Sequence, residues 1–421
     1  MGKCWSGMME NRSAASQPPA SFEAGTNGIR GFAALLVLYT HLLVPKCEVD
    51  PSYAPWAGFM TVDASQGAVL IFFVLSGYVL GLTYRAQPSG HGLIDYAGRR
   101  FIRIVPLYLL AAISGVIIHP VDDYHTVVGN LLFLQNDLPM GSWHVQLLKA
   151  NINLWSLHYE MLYYILFPLV WYTRTQWLKW LCSAAVISVM GWLLPVIGPT
   201  IATYAAGWVF WLAGYGLAQA PSVDATNLKS RLPWPSLLLL WLVLWRTKPL
   251  WAVCHRLGWL SGHKAWMDFS YFDFLPACIA LMMSASGRRP RGSWLIIWTT
   301  LAIPIAFLFW RALRGRLLMS DLSLMDGLLV AAVLLWFWRP SPRHFAHLAP
   351  IGAISYAIYV FQRPVQWLVF NHIPLPTGSS FSFTVRILAT VVITFVVAYL
   401  AERKFQPYIR NCWLLWAKPH P

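Results

Sequence analysis

Residues 28–41 read Gly28-Ile-Arg30-Gly-Phe-Ala-Ala-Leu-Leu-Val-Leu-Tyr-Thr-His41. An arginine stands near the start and a histidine at the end, with almost nothing polar between them. The run stays apolar to about residue 45 and is long enough for a membrane helix. Arg30 and His41 are eleven residues apart, close to three turns, so both lie on one helix face, roughly 16 Å apart along the axis. Ionisable groups at such depth are costly in lipid and turn toward protein or water. Taken alone, Arg30 fits a snorkelling residue at a span end, and His41 fits a buried structural histidine.

The rest of the chain repeats the pattern. Of 421 residues, 57% are hydrophobic and 11% charged, against about a quarter charged in soluble domains. A soluble fold this apolar could not cover its surface. Apolar runs recur at 28–45, 66–84, 101–118, 154–172, 177–195, 200–219, 232–246, 270–286, 293–311, 323–338, 348–369 and 383–401. The seventh is short and interrupted at Trp245-Arg246. The fold class is an all-α polytopic transmembrane helical bundle of about ten to twelve spans.

The formal charge is +15. The basic residues cluster at alternate span ends, which accounts for the excess without a nucleic-acid partner and sets both termini in the cytoplasm. Arg311, Arg314 and Arg316 are the exception, falling in a connector that the span order places outside. Trp, at 24 residues, suits interfacial belts. Residues 1–27 read as a disordered cytoplasmic tail without a signal-peptide pattern, residues 28–403 as the membrane domain, and residues 404–421 as a short cytoplasmic tail. The longest outside connector, 119–153, holds an amphipathic piece at 127–134. None of the six cysteines forms a CxxC pair, and no metal site is expected. Cys47 and Cys254 both fall outside, where a disulfide between them is open.

Polar residues gather at a few span ends. Phe72-Phe73-Val74-Leu75-Ser76-Gly77-Tyr78 carries small residues that let helices approach closely. Arg99-Arg100-Phe-Ile-Arg103-Ile-Val-Pro106-Leu-Tyr108 places Arg100 and Arg103 on one face. Guanidinium forks suit phosphate, although topology-setting charge and lipid headgroup binding account for them as well. In Asn153-Leu-Trp155-Ser156-Leu157-His158-Tyr159-Glu160 the carboxylate sits about two turns into a span. It needs a partner such as His41, His158, an arginine or a substrate hydroxyl; a helix-bridging ion pair would also satisfy it. Ser355-Tyr356, Tyr359, Gln362-Arg363-Pro364 and Glu402 form polar helix faces.

Together these segments resemble the membrane-bound acyltransferase family 3, whose members O-acylate carbohydrates and other hydroxyl compounds. The resemblance rests on Arg30-x10-His41, Phe72–Tyr78, Arg100-x-x-Arg103 with Pro106 and Tyr108, Trp155-Ser156-Leu157-x-x-Glu160, Ser355-Tyr356-x-x-Tyr359 and Glu402. It departs at Leu70, where members often carry a polar residue. It departs again at Gln362, where a histidine is common, so no proton transfer is assigned there. The resemblance implies acetyl-CoA or another acyl-CoA as cytoplasmic donor, held by Arg30, Arg100 and Arg103. A hydroxyl acceptor would be reached from the other side or within the bilayer. It implies His41 as general base and Glu160 orienting it or the acceptor. Ser76, Tyr78, Trp155, Ser156, Tyr356, Tyr359 and Glu402 would have substrate-contacting or structural roles. The competing reading is a transporter or flippase for a lipid-linked or acylated substrate, which would show an inverted repeat; none is visible in the sequence.

Overall fold

The structure is a computed structural model. It describes residues 20–43, 50, 52–55, 62–121, 123–135, 144–193, 198–223, 231–259, 267–315, 323–341 and 343–416. Among them the chain is helical, with one isolated antiparallel bridge between Ser222 and Arg288. The helices run α1 Ala20–Leu43, α2 Ser65–Thr83, α3 Gly90–Ile118, α4 Tyr124–Leu131, α5 Leu157–Tyr172, α6 Trp177–Met190, α7 Gly198–Gln219, α8 Trp234–Thr247, α9 Pro249–Arg256, α10 Leu275–Ser286, α11 Ser293–Leu313, α12 Ser323–Leu334, α13 Arg343–Ala346, α14 Ala349–Gly352, α15 Ser355–His372, α16 Ser380–Leu400 and α17 Gln406–Trp416. A 3-10 segment, Lys149–Ser156, leads into α5, another, Phe269–Phe274, leads into α10, and a π turn, Ala401–Phe405, joins α16 to α17.

Every expected span falls on a helix. Seven helical stretches among the described residues are long and apolar enough to cross a membrane. The five other expected spans fall on α1, α5, α6, α12 and α15, which are shorter or more polar. α1 and α15 are polar because they face protein: Gln362, Arg363 and Gln366 of α15 are all buried. By contrast α11 is buried over only a small part of its length, and its Trp294, Trp298 and Phe309 are exposed. The interrupted seventh span is α8, which turns at Lys248 in the left-handed region before α9.

Two expectations shift. Residues 1–19 of the expected tail lie outside the described residues, but from Ala20 the chain is already α1. The C-terminal tail is helical as α17. Arg311, from the connector whose charges break the alternation, is buried and bonds Asp326 of α12 at 2.7 Å. Arg314 lies over the Trp310 ring, and Arg316 is outside the described residues, as is Cys47. Cys254 is buried against Phe269.

Close approach on small residues does hold the core. A Cβ on Gly77 of α2 would stand 1.9 Å from the carbonyl oxygen of Trp211 in α7. The approach is reciprocal, since a Cβ on Gly214 of α7 would stand 2.0 Å from that of Val74.

Three helices beside the site carry an internal proline: Pro106 in α3, Pro168 in α5 and Pro364 in α15. Each lacks the N–H that would bond the carbonyl four residues back. Those carbonyls belong to Ile102, Tyr164 and Val360, and each has a side-chain donor. Gln406 Nε2 donates to Ile102, Tyr96 Oη to Tyr164 at 2.8 Å, and Asn151 Nδ2 to Val360 at 2.9 Å. In hydrocarbon such groups have no water to turn to, so each proline is paired with a distant polar side chain that docks a second element.

Candidate active site

The Asn151 bond explains how an irregular segment lies inside the bundle. Asn151 departs from helical geometry, at φ −148° and ψ 59°, yet is fully buried. Asn153 Nδ2 donates to the Tyr359 carbonyl at 3.4 Å, and Gln135 Nε2 to Leu154 at 2.9 Å. Non-helical backbone at membrane depth is tolerated where protein satisfies it. The segment thereby delivers Asn153, Trp155 and Ser156 to α15.

His41 lies in the last turn of α1. It borders a cavity of about 50 Å³ with Ser65, Gln66, Asn153, Trp155 and Tyr359, closed by Val37, Val69 and Ile152. That is room for a small polar group rather than a whole ligand. His41 Nδ1 is buried with no hydrogen-bond partner among the described residues. A buried polar nitrogen left unpaired costs about 1–3 kcal/mol. Beside it, Ser156 Oγ lies 2.8 Å from Tyr359 Oη, which donates to the Asn153 carbonyl at 2.8 Å. The Tyr359 hydrogen is thus committed, and Ser156 is the donor in the first of these bonds. Outside the spans, burial holds the Asp63 carboxyl just before α2 above the usual carboxylate range, against the pull of Lys248.

At the other end of α1 the three expected arginines come together. Arg30 bonds Asn27 Oδ1 at 2.9 Å and lies in electrostatic range of Arg103, Glu160 and Glu402. Arg103 pairs with Glu402 of the π turn at 2.5 Å and lies over the Tyr356 ring. Arg100 lies over the Tyr164 ring, its Nε buried without a partner among the described residues. Three guanidinium groups against two carboxylates leave this pole net positive, suited to an anion.

Glu160 belongs to this pole. Its partner is Tyr164, one turn along α5, through a short hydrogen bond. Tyr164 Oη lies 2.9 Å from Ser76 Oγ, which accepts from Trp211 Nε1 at 3.3 Å. With the Tyr164 hydrogen on Glu160, the chain of donors runs Trp211, Ser76, Tyr164, Glu160. No hydrogen bond joins Glu160 to His41 among the described residues, so the expected orienting contact is not formed. Nor is His158 its partner; that ring packs on Tyr159 and Tyr204. Tyr78 is buried beside Ser286 and Arg288. Tyr356 and Tyr359, one turn apart on α15, bridge the poles: Tyr356 touches Arg103, and Tyr359 lines the His41 cavity. Among the described residues no three His, Cys, Asp or Glu side chains gather as a metal site would require.

Residues 23–285 match the model of the acyltransferase 3 family, described as an acyltransferase domain. The chain belongs to this family. Its members are acyltransferases that move groups other than aminoacyl groups. The matched part contains Arg30, His41, Ser76, Arg100, Arg103 and Glu160; Tyr356, Tyr359 and Glu402 lie beyond it and reach the site through packing. The chain is similar to Acyltransferase MdmB of Streptomyces mycarofaciens, 31% identical over 176 residues, 39% of this chain and 43% of that protein. The chain thus matches less than half the length of this curated relative. No solved structure matches.

Reading the sequence alone assigned no role to Tyr164, Asn151, Arg363 or Gln366. Tyr164 had a signal, its i,i+4 spacing from Glu160. Asn151 had none, since Val360 is 209 residues away.

Proposed function

We propose that this protein is a multi-pass O-acyltransferase of the cell membrane, inner or plasma, with both termini cytoplasmic. It moves an acyl group, acetyl by family habit, from cytoplasmic acyl-CoA to a hydroxyl of a glycan or other cell-envelope or hydroxylated acceptor. The observation that carries this reading is the polarity of α1: an arginine pole at one end, and at the other an unpartnered buried His41 Nδ1 bordering a small cavity. Arg30, Arg100 and Arg103 hold the donor's phosphates. His41 takes the proton of the acceptor hydroxyl as its oxygen attacks the acyl carbonyl. Glu160, held by Tyr164, keeps the arginines apart and aligned instead of orienting His41.

The test is turnover of radiolabelled acetyl-CoA by purified protein in nanodiscs, with hydroxylated acceptors. His41→Ala, folded normally, should lose about 10²–10⁴-fold in transfer, the typical worth of a general base. Full activity in that variant sinks the role of His41. Arg100→Ala should raise the donor Kd about tenfold or more, since a charge-assisted hydrogen bond is worth about 1.5–3 kcal/mol. Unchanged affinity removes it from the donor site. Wild-type protein that moves a lipid-linked or acylated substrate across the bilayer without turnover is a transporter.

A further inference from the structure

One turn beyond Tyr359, α15 carries a buried pair that the proposed chemistry does not use. Arg363 is 4% exposed and Gln366 fully buried. Arg363 Nη1 donates to Gln366 Oε1 at 3.0 Å, and Gln366 Nε2 donates to the backbone carbonyl of His41 at 2.8 Å. The residue four positions on is Pro45, which has no N–H to bond that carbonyl. Gln366 therefore caps α1 at His41 itself and grips the arginine with its other atom. Arg363 follows Tyr359 by four residues, so both share a face of α15, and Tyr359 lines the His41 cavity. Arg363 lies within electrostatic range of His41.

Attack on an acyl carbonyl puts negative charge on its oxygen, and stabilising that oxygen is often what lowers the barrier most in such catalysis. The residues bordering the cavity are apolar or neutral apart from His41. One helical turn beyond Tyr359, the Arg363 guanidinium is a fixed positive charge in a buried setting, where charge acts strongly. We propose that Arg363 supplies the positive charge that stabilises the anionic carbonyl oxygen during acyl transfer, and that Gln366 is the positioning residue that locks Arg363 and His41 in register. This rests on the acyl-transfer reading above. The acceptor oxygen bonds to the acyl carbon while its proton passes to His41, and the carbonyl electron pair moves onto oxygen, toward Arg363. On collapse that pair re-forms the carbonyl, the carbon–sulfur bond breaks, and the thiolate takes the proton back from His41. Nothing is oxidised or reduced.

The experiment is steady-state acetyl transfer in nanodiscs, with Tm recorded for each variant. Arg363→Met should lower kcat about 10²–10³-fold, the scale of a lost oxyanion donor, with the donor KM nearly unchanged. Methylguanidinium should restore part of kcat to Arg363→Ala and none to His41→Ala. A folded Arg363→Met that keeps wild-type kcat, or that raises only the donor KM, overturns the proposal. Should it not fold, Gln366→Leu decides: kcat about tenfold lower at unchanged donor KM, as for one charge-assisted hydrogen bond, supports it, and wild-type kcat overturns it. An inactive wild type or a fully active His41→Ala would defeat the parent reading. Wild type and His41→Ala behaving as expected beside a normal Arg363→Met would defeat this inference alone.

Discussion

Glu160 shows how one hydrogen bond reassigns a residue. Placed by sequence two turns into a span, it needed a partner, and His41 was one candidate. The partner is Tyr164, and the carboxylate stands with the arginines. Its consequence is local. Tyr164→Phe removes the donor that restrains Glu160, which is then free to swing to Arg100 and cancel its charge. The donor KM should rise about tenfold, on the scale of a lost charge-assisted bond, with kcat changed less. Steady-state kinetics over a range of acetyl-CoA concentrations checks this; an unchanged KM places Glu160 outside donor binding. At this scale Arg30, Arg100, Arg103 and His41 were legible because charge in an apolar run stands out. Arg363 was visible on a polar helix face and Gln366 was passed over, because nothing local says that an amide on α15 reaches His41 on α1.

Among elements, periodicity and length were enough to find the spans, because burial in lipid needs long apolar runs. The joints between them were not readable. Residues 149–153 read as the end of an outside connector, yet Ala150, Asn151 and Asn153 are buried, because Asn151, Asn153 and Gln135 tie this segment and its neighbours to distant carbonyls. The internal prolines mark where such joints fall. Gln406→Leu should leave the Ile102 carbonyl buried and unpaired, at about 1–3 kcal/mol. Combining it with Pro106→Ala, which restores the helix's own N–H, should recover most of that loss. Unfolding in mixed SDS micelles would measure both, and an additive double variant would refute the pairing.

Across the whole molecule, ion pairs join segments far apart in the chain. Arg103 meets Glu402 at the arginine pole. Asp50 meets Arg386 at 3.1 Å with both side chains almost wholly buried, and Asp50 also accepts from Gly378 N at 3.1 Å. Removing one member of such a pair strands a buried charge, at about 3–5 kcal/mol. Asp50→Asn should therefore lower stability by about that amount in the same unfolding assay, and Asp50→Asn with Arg386→Met by clearly less. A neutral single variant would show the pair to be dispensable. No composition or spacing rule links residues 336 apart, which is why the closing of the bundle stayed hidden while its class was plain.

The bond between Gln406 and Ile102 has a consequence in time. The ribosome completes α3 long before it reaches Gln406, 304 residues later. A nascent α3 therefore enters the bilayer with a bare carbonyl beside Pro106, and it stays bare until α17 is made. During synthesis that oxygen must be met by water or by the insertion machinery, so α3 is the helix expected to linger there longest. Site-specific photocrosslinking from position 102 on stalled chains would time its release against the emergence of Gln406.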